Sequence, residues 1–184
     1  MIILLLVLPI ILKLLSNERV PNSREENISN QYGMQNKHWT RKDVLQNWVF
    51  WAVIIPFLIP PIFSTAFFFN MVHLANIKNW SLISFTALFP IYTGMSILST
   101  LSSGWILDKF GVEKVLPFYL IPMSLGLIIF SYGNSYMNAI FGLAFLGMTQ
   151  GFAMTIGGTF WPNYYGTKHL GSVRSLSTST MVFG

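Results

Sequence analysis

The ionisable and flexible residues that could act together lie in residues 104–114, GWILDKFGVEK, between two long apolar runs. Gly104 can let two helix backbones approach closely, and Gly111 permits a positive φ in a turn. Asp108 supplies an acceptor that can cap the amino terminus of a neighbouring helix. Lys109 and Lys114 are cations of the kind that mark the cytoplasmic side of a membrane. The stretch therefore predicts a tight cytoplasmic turn between antiparallel membrane helices.

Side chains suited to catalysis are sparse in the rest of the chain. The sequence has 3 histidines, scattered over the predicted loops, and no cysteine. It has no clustered carboxylates, no HExxH pattern, and no serine with a base within the same apolar run. We therefore expect that the chain is not an enzyme, and we predict no catalytic residue, no metal site and no cofactor.

The composition is that of an integral membrane protein. Hydrophobic residues make up 53% of the chain and charged residues 9%, whereas about 25% of a soluble domain is charged. At roughly 20 to 25 residues per membrane helix, 184 residues predict an all-α fold of about six transmembrane helices, the first and last truncated. The net charge of +5 comes from basic residues between apolar runs, which argues against a nucleic-acid partner.

The polar stretch near the amino terminus divides the chain into segments. Residues 1–15 are predicted to be the end of a membrane helix, and residues 16–46 a cytoplasmic linker rich in asparagine and basic residues. Thr40, with Asp43 three residues later, resembles a capping box that starts a helix. Residues 47–184 then form a half-bundle of membrane helices.

The predicted spans are residues 48–72, 82–107, 115–132 and 137–161, followed by an apolar run that begins after residues 162–174. Pro56, Pro60 and Pro61 interrupt the first span. Such prolines free backbone carbonyls and bend a helix, which is equally consistent with a substrate cavity and with an ordinary packed kink. The hydroxyls of Ser64 and Thr65 could satisfy the freed groups.

Three neutral polar side chains at membrane depth are the candidate solute-binding residues: Thr65, Tyr92 and Gln150. A buried phenol needs a partner, and an amide at this depth serves either a helix-to-helix hydrogen bond or a ligand. Gly147 and Gly151 form a GxxxG pair, typical of close helix contact. The serines four residues apart, Ser99 and Ser103, predict a second close-packing face.

Two loops resemble those of the major facilitator superfamily, whose transporters consist of two six-helix halves. Residues 104–114 resemble the loop between the second and third helices of a half. The matching residues are Gly104, Asp108, Lys109, Gly111 and Lys114. Val112 and Glu113 depart from it, since the family usually has basic residues there. Residues 162–174, PNYYGTKHLGSVR, are similar to the loop before the fifth helix of a half, which Ser172 could cap.

The resemblance implies a partial fold of that family: the end of the sixth helix, the central linker, helices seven to ten and the start of the eleventh. It also implies that Asp108 faces the amino terminus of the last helix and pairs with Arg174, latching the cytoplasmic ends. The alternative for Asp108 is a solvated carboxylate in a turn.

Charge distribution tests this threading independently, because cytoplasmic loops carry an excess of Lys and Arg. Alternating the loops leaves only Lys78 outside. The residues assigned to the inside are Lys13, Arg19, Arg24, Lys37, Arg41, Lys42, Lys109, Lys114, Lys168 and Arg174. The pattern supports a multi-pass protein, which we expect in the plasma (inner) membrane.

The function implied by the resemblance is secondary transport of a small solute by alternating access. The gating elements would be the residues of the signature loop, with Arg174, and the solute would contact Thr65, Tyr92 and Gln150. Similarity to the monocarboxylate-like branch implies a small organic anion and a coupling proton. The expected partners are the solute, membrane lipid and the missing amino-terminal half. The alternative is a non-transporting membrane fragment or an assembly partner of a separately encoded amino-terminal half.

Overall fold

A computed structural model of the protein describes residues 32–183, which are helical over most of their length. The predicted helix end at residues 1–15, the linker up to residue 31, and Lys13, Arg19 and Arg24 lie outside the described residues. After a short 3-10 turn at Met34–Asn36, the helices are α1 Arg41–Gln46, α2 Trp48–Phe69, α3 Met71–Ile77, α4 Leu82–Thr86, α5 Phe89–Phe110, α6 Val112–Val115, α7 Ile121–Tyr132, α8 Tyr136–Tyr165 and α9 Leu170–Phe183.

The predicted capping box at the start of α1 is confirmed. The Thr40 hydroxyl accepts a hydrogen bond from the Asp43 backbone N–H, and the Asp43 carboxylate accepts one from the Thr40 N–H at 3.0 Å. Hydrogen bonds from the Thr40 hydroxyl and N–H, together with Lys37, whose Nζ lies 3.3 Å from the carboxylate, lower the pKa of Asp43 to about 2. The carboxylate therefore stays charged and fixes the point where the linker becomes helical.

Helix α2 remains one continuous helix despite Pro56, Pro60 and Pro61. A proline has no N–H, so Pro60 leaves the carbonyl of Pro56, four residues earlier, without its helical donor. The Tyr119 hydroxyl supplies that donor at 2.5 Å. The freed carbonyl is thus satisfied by a side chain from another part of the chain, instead of by Ser64 or Thr65 as the sequence suggested.

Three segments of the described chain are long and apolar enough to cross a membrane: Trp48–Phe69, Leu82–Phe110 and Tyr136–Tyr165. The second is interrupted at residues 87 and 88, because Pro90 cannot donate to the carbonyl four residues before it. It then continues to Phe110, so most of residues 104–114 is helical. The predicted turn is confined to Gly111, whose φ of 81° confirms the expected positive angle.

The prediction of one helix over residues 115–132 is wrong, because the helix in the structure is shorter. Residues 116–120 form turns, and α7 begins only at Ile121, with Pro122 in its first turn where a missing N–H costs little. Its 12 residues give a helix of about 18 Å, shorter than the roughly 30 Å hydrocarbon core. Pro117 and Pro122 together account for the late start.

Helices α5 and α8 run parallel and pack side by side, and the close contact predicted from the GxxxG pair is confirmed. A Cβ placed on Gly147 would lie 2.2 Å from the Tyr92 carbonyl oxygen, and one on Gly151 would lie 2.4 Å from that of Ser96. The buried serines of α5 complete the contact: Ser99 donates to the Met148 carbonyl at 2.7 Å. The Ser103 hydroxyl donates to that of Thr155 at 2.7 Å.

Aromatic rings join α2 to this pair. Phe50 and Phe57 of α2 lie against Trp161 of α8, with ring centroids 5.8 and 5.6 Å apart, and Phe57 also contacts Phe160. Near the other end of α2, Phe68 contacts Phe89 and Tyr92 at the start of α5. Helix α2 therefore runs antiparallel to both α5 and α8.

The loops collect at two ends of the bundle. At one end, the Trp39 N–H donates to the Tyr165 carbonyl at 3.2 Å, which joins the linker to the carboxyl end of α8. We call this the basic end; its basic residues include Lys37, Arg41, Lys42, Lys109, Lys114 and Lys168. At the opposite end, Lys78 donates to the Ser131 carbonyl and the Asn134 side chain at 3.0 and 2.9 Å.

The loop after α8 is shorter than predicted. Helix α8 runs through Pro162 to Tyr165, and α9 begins at Leu170, which leaves residues 166–169 as the connection. Gly166 ends α8 with a φ of 80°. Ser172 lies inside α9, so the prediction that it caps this helix is wrong.

Candidate functional site

Tyr92 is the residue at which α2, α5 and α8 meet. Its ring makes an edge-to-face contact with Phe68 of α2, with centroids 5.6 Å apart. Its backbone carbonyl lies against Gly147 of α8, where even one methyl group would not fit. The side chain is half-buried, and its hydroxyl has no hydrogen-bond partner in the part of the chain that the structure describes.

The other two predicted solute-binding residues lie within one helical turn of these contacts. Thr65 precedes Phe68 by three residues, and Gln150 follows Gly147 by three. Thr65 is exposed and Gln150 is half-buried. Among residues 32–183, neither side chain has a hydrogen-bond partner, so the helix-to-helix bond considered for Gln150 is not formed there. Thr65, Tyr92 and Gln150 offer neutral hydrogen-bonding groups that remain available to another molecule.

The signature stretch is arranged differently from its prediction. Gly104 faces open space, since a Cβ there would meet no atom within 4 Å, and so it does not mediate a close helix contact. Asp108 is exposed and forms no ion pair with any described residue. Lys109 lies over the rings of Trp105 and Phe110, 5.0 and 5.6 Å from their centroids.

Glu113, where the resemblance expects a basic residue, makes the contact that joins the two loops. Its carboxylate lies close to the hydroxyl of Tyr164, in the YYG sequence. A cleft of about 240 Å³ lies beside this contact, lined by Met34, Phe110, Gly111, Val112, Glu113, Lys114, Asn163 and Tyr164. The linker, α6 and the end of α8 therefore meet at the basic end. Sequence reasoning missed Glu113, although its departure from the usual charge was the available signal.

Arg174 contacts α8 instead of Asp108. Its guanidinium donates to the carbonyl of Gly158 at 2.8 Å. That carbonyl would ordinarily accept from the residue four positions later, which is Pro162 and has no N–H. The expected pair between Asp108 and Arg174 is therefore not formed in this structure. In the sequence, Pro162 identifies the Gly158 carbonyl as one without a helical donor, but it does not identify Arg174 as the side chain that supplies one.

These observations agree with a comparison against protein families. The family model described as Major Facilitator Superfamily matches residues 1–184. The chain belongs to the Major Facilitator Superfamily. A search of curated proteins and a search of solved structures each returned no match.

Membership of the Major Facilitator Superfamily supports several of the predictions. It supports an all-helical, multi-pass membrane protein with a partial form of the family's fold, consistent with the three membrane-length segments. It supports a transport function for a small solute and argues against an enzyme. The domain boundaries and the individual site residues remain predictions.

Proposed function

We propose that the chain takes part in alternating-access transport of a small organic anion, such as a monocarboxylate, moved together with a proton. The observation that carries the proposal is the meeting of three helices of a Major Facilitator Superfamily protein at Tyr92. Around that point, hydroxyl and amide groups have no partner among the described residues. Unpaired polar groups at membrane depth are costly, and a polar solute would satisfy them.

Within this proposal Thr65, Tyr92 and Gln150 contact the neutral part of the solute. Hydroxyl and amide groups bind by hydrogen bonds and supply no counter-charge. The coupling proton is not assigned to these side chains.

The gating elements of the proposal are at the basic end. Gly111 sets the turn, and the contact between Glu113 and Tyr164 joins α6 to the end of α8. Asp108, Lys109 and Lys114 lie next to this contact in the chain and are proposed to exchange partners when the end opens. An Asp108→Asn variant is expected to change the reaction of a reporter cysteine at this end with a water-soluble maleimide. Unchanged accessibility would contradict a gating role for Asp108.

The transport test measures uptake of radiolabelled propionate into vesicles, with propionamide as the uncharged analogue and with an inward proton gradient. Single variants Thr65→Val, Tyr92→Phe and Gln150→Leu are each expected to reduce uptake several-fold at equal abundance in the membrane. Thr93→Val is the matched control, because its hydroxyl is already bonded to the Phe89 carbonyl at 3.2 Å within its own helix. Normal uptake by all three variants would refute the assignment of these residues.

The assay has two arms that separate the proposal from its alternative. One arm contains the chain alone, and the other contains it with a separately expressed amino-terminal half. Uptake only in the second arm identifies the chain as an assembly partner. An absence of uptake in both arms, across organic acids, sugars and amines, would contradict the transport proposal.

A further inference from the structure

We propose that the cleft between α8 and α9 is a second binding site on the path of the transported solute, nearer the basic end than Tyr92, with Arg174 as the counter-charge for the carboxylate group. The inference rests on the proposed function and deepens it by naming the side chain that recognises the solute's carboxylate. The cleft has a volume of about 270 Å³ and is lined by Gly157, Gly158, Trp161, Arg174, Ser177 and Thr178.

Arg174 brings a permanent positive charge to the pair formed by α8 and α9. Gly158 precedes the last residue of α8 by seven positions, so the guanidinium reaches a level about 10 Å inside that helix end. A guanidinium has five N–H donors. Within residues 32–183, the guanidinium of Arg174 forms one hydrogen bond, to the Gly158 carbonyl. Its planar fork matches the two oxygens of a carboxylate.

Ser177 is the second, independent observation. Its side chain is only 3% exposed and lines the cleft. Its hydroxyl has no hydrogen-bond partner among the described residues, unlike Ser175, Thr178 and Ser179 of the same helix, which bond to carbonyls of their own turn. The Ser177 hydroxyl is therefore free to form a hydrogen bond with a ligand in the cleft.

Glycine provides the space for the ligand. A Cβ on Gly158 would meet no atom within 4 Å, so the helix surface is open beside the guanidinium. Trp161 forms an apolar wall next to it. A small carboxylate with a short apolar body matches this combination of cation, hydroxyl and indole.

The competing explanation is that Arg174 only satisfies the carbonyl that Pro162 leaves without a donor. Replacing Pro162 by Ala restores the missing N–H and removes that structural requirement. The double variant Pro162→Ala with Arg174→Gln therefore separates the two roles. If Arg174 binds the carboxylate, propionate uptake stays low in the double variant. Recovery of uptake to the level of Pro162→Ala alone would overturn the proposal.

Binding is measured separately from transport, on purified protein titrated with propionate and followed by thermal unfolding. Propionate is expected to raise the unfolding temperature, whereas propionamide is not. Arg174→Gln is expected to weaken the apparent affinity about tenfold to hundredfold, and Ser177→Ala about threefold to tenfold. Ser179→Ala is the matched control, because this hydroxyl is bonded to Ser175 at 2.8 Å.

The two measurements distinguish failure of the inference from failure of the proposed function. Propionate uptake that is unchanged by Arg174→Gln would overturn the inference and leave transport standing. If no vesicle shows uptake but propionate stabilises the natural chain and not Arg174→Gln, the site stands and the transport proposal fails. Equal stabilisation of both proteins, or of neither, would refute the site.

Discussion

At the scale of single residues, two prolines each lead to a hydrogen bond between separate segments of the chain. Pro60 frees the carbonyl of Pro56, which Tyr119 binds, and Pro162 frees the carbonyl of Gly158, which Arg174 binds. In both cases a donor from another helix or turn replaces the missing backbone N–H. Prolines in these helices therefore create specific contacts between segments in addition to bending the chain.

Replacing Tyr119 by Phe should destabilise the protein by about 1 kcal/mol, because the Pro56 carbonyl loses its donor in a buried position. The measurement is thermal or denaturant unfolding of the purified protein in detergent. Tyr132→Phe is the control, since Tyr132 is 85% exposed. Equal stability of the two variants would show that the hydrogen bond contributes nothing measurable.

At this scale the sequence predicted backbone conformation correctly where that conformation depends only on neighbouring residues. Gly111 was predicted to have a positive φ because a turn needs one, and it does. The partners of Tyr119 and Arg174 could not be predicted, because each contact joins positions that are distant along the chain or in different helices. The pair between Asp108 and Arg174 was expected from the resemblance alone. That expectation did not consider that Pro162 leaves the Gly158 carbonyl without a donor, which Arg174 supplies.

At the scale of helices, the contact between α5 and α8 follows from small residues on both partners. Glycines on α8 place its backbone against carbonyls of α5, and Ser99 and Ser103 add hydrogen bonds across the contact. The GxxxG spacing and the serine spacing predicted this contact because both depend only on the helical period. Helix ends were predicted less well, as the late start of α7 shows.

Replacing Gly151 by Ala should destabilise the bundle by about 1 to 3 kcal/mol, because the added methyl group lies 2.4 Å from the Ser96 carbonyl oxygen and a backbone must move. The unfolding assay used for Tyr119 measures the change. Gly94→Ala in α5 is the control, as its Cβ would meet nothing within 4 Å, and it should be neutral or slightly stabilising. A Gly151→Ala protein as stable as the control would contradict the close contact.

The start of α1 should depend on pH through Asp43. Its pKa of about 2 in the folded chain lies below the ordinary value of 3.8, so the cap is stabilised above about pH 4 and weakens as the pH falls towards 2. Hydrogen-exchange protection of the α1 amides should decline over that range. In Asp43→Asn the protection should be lower throughout and independent of pH between 2 and 4. A pH-dependent decline that persists in Asp43→Asn would exclude this carboxylate as its cause.

At the scale of the whole molecule, the alternating directions of the helices place Lys78 at one end and the other basic residues of 32–183 towards the opposite end. The positive-inside pattern predicted this arrangement because it depends on counting charges and not on the exact helix ends. The structure adds that Lys78 is anchored to the turn between α7 and α8. What the sequence could not predict at this scale was the shortened α7, since proline positions alone do not determine how a turn packs.

Site-directed labelling should confirm the two ends. The natural sequence contains no cysteine, so Lys78→Cys and Lys168→Cys each introduce a single reactive thiol. In intact cells a membrane-impermeant maleimide should label Lys78→Cys, and it should reach Lys168→Cys only after the membrane is permeabilised. Labelling of both variants from the same side would contradict the topology.

The glycine contact between α5 and α8 also restricts how the bundle can move. Two backbones in direct contact have no flexible side chains between them to absorb sliding, so these helices should travel as one rigid body. Sliding must then occur where α2 packs through aromatic rings against this pair, and where a cleft separates α9 from α8. We therefore expect α5 and α8 to keep their relative positions in any conformational change, while other helices move against them.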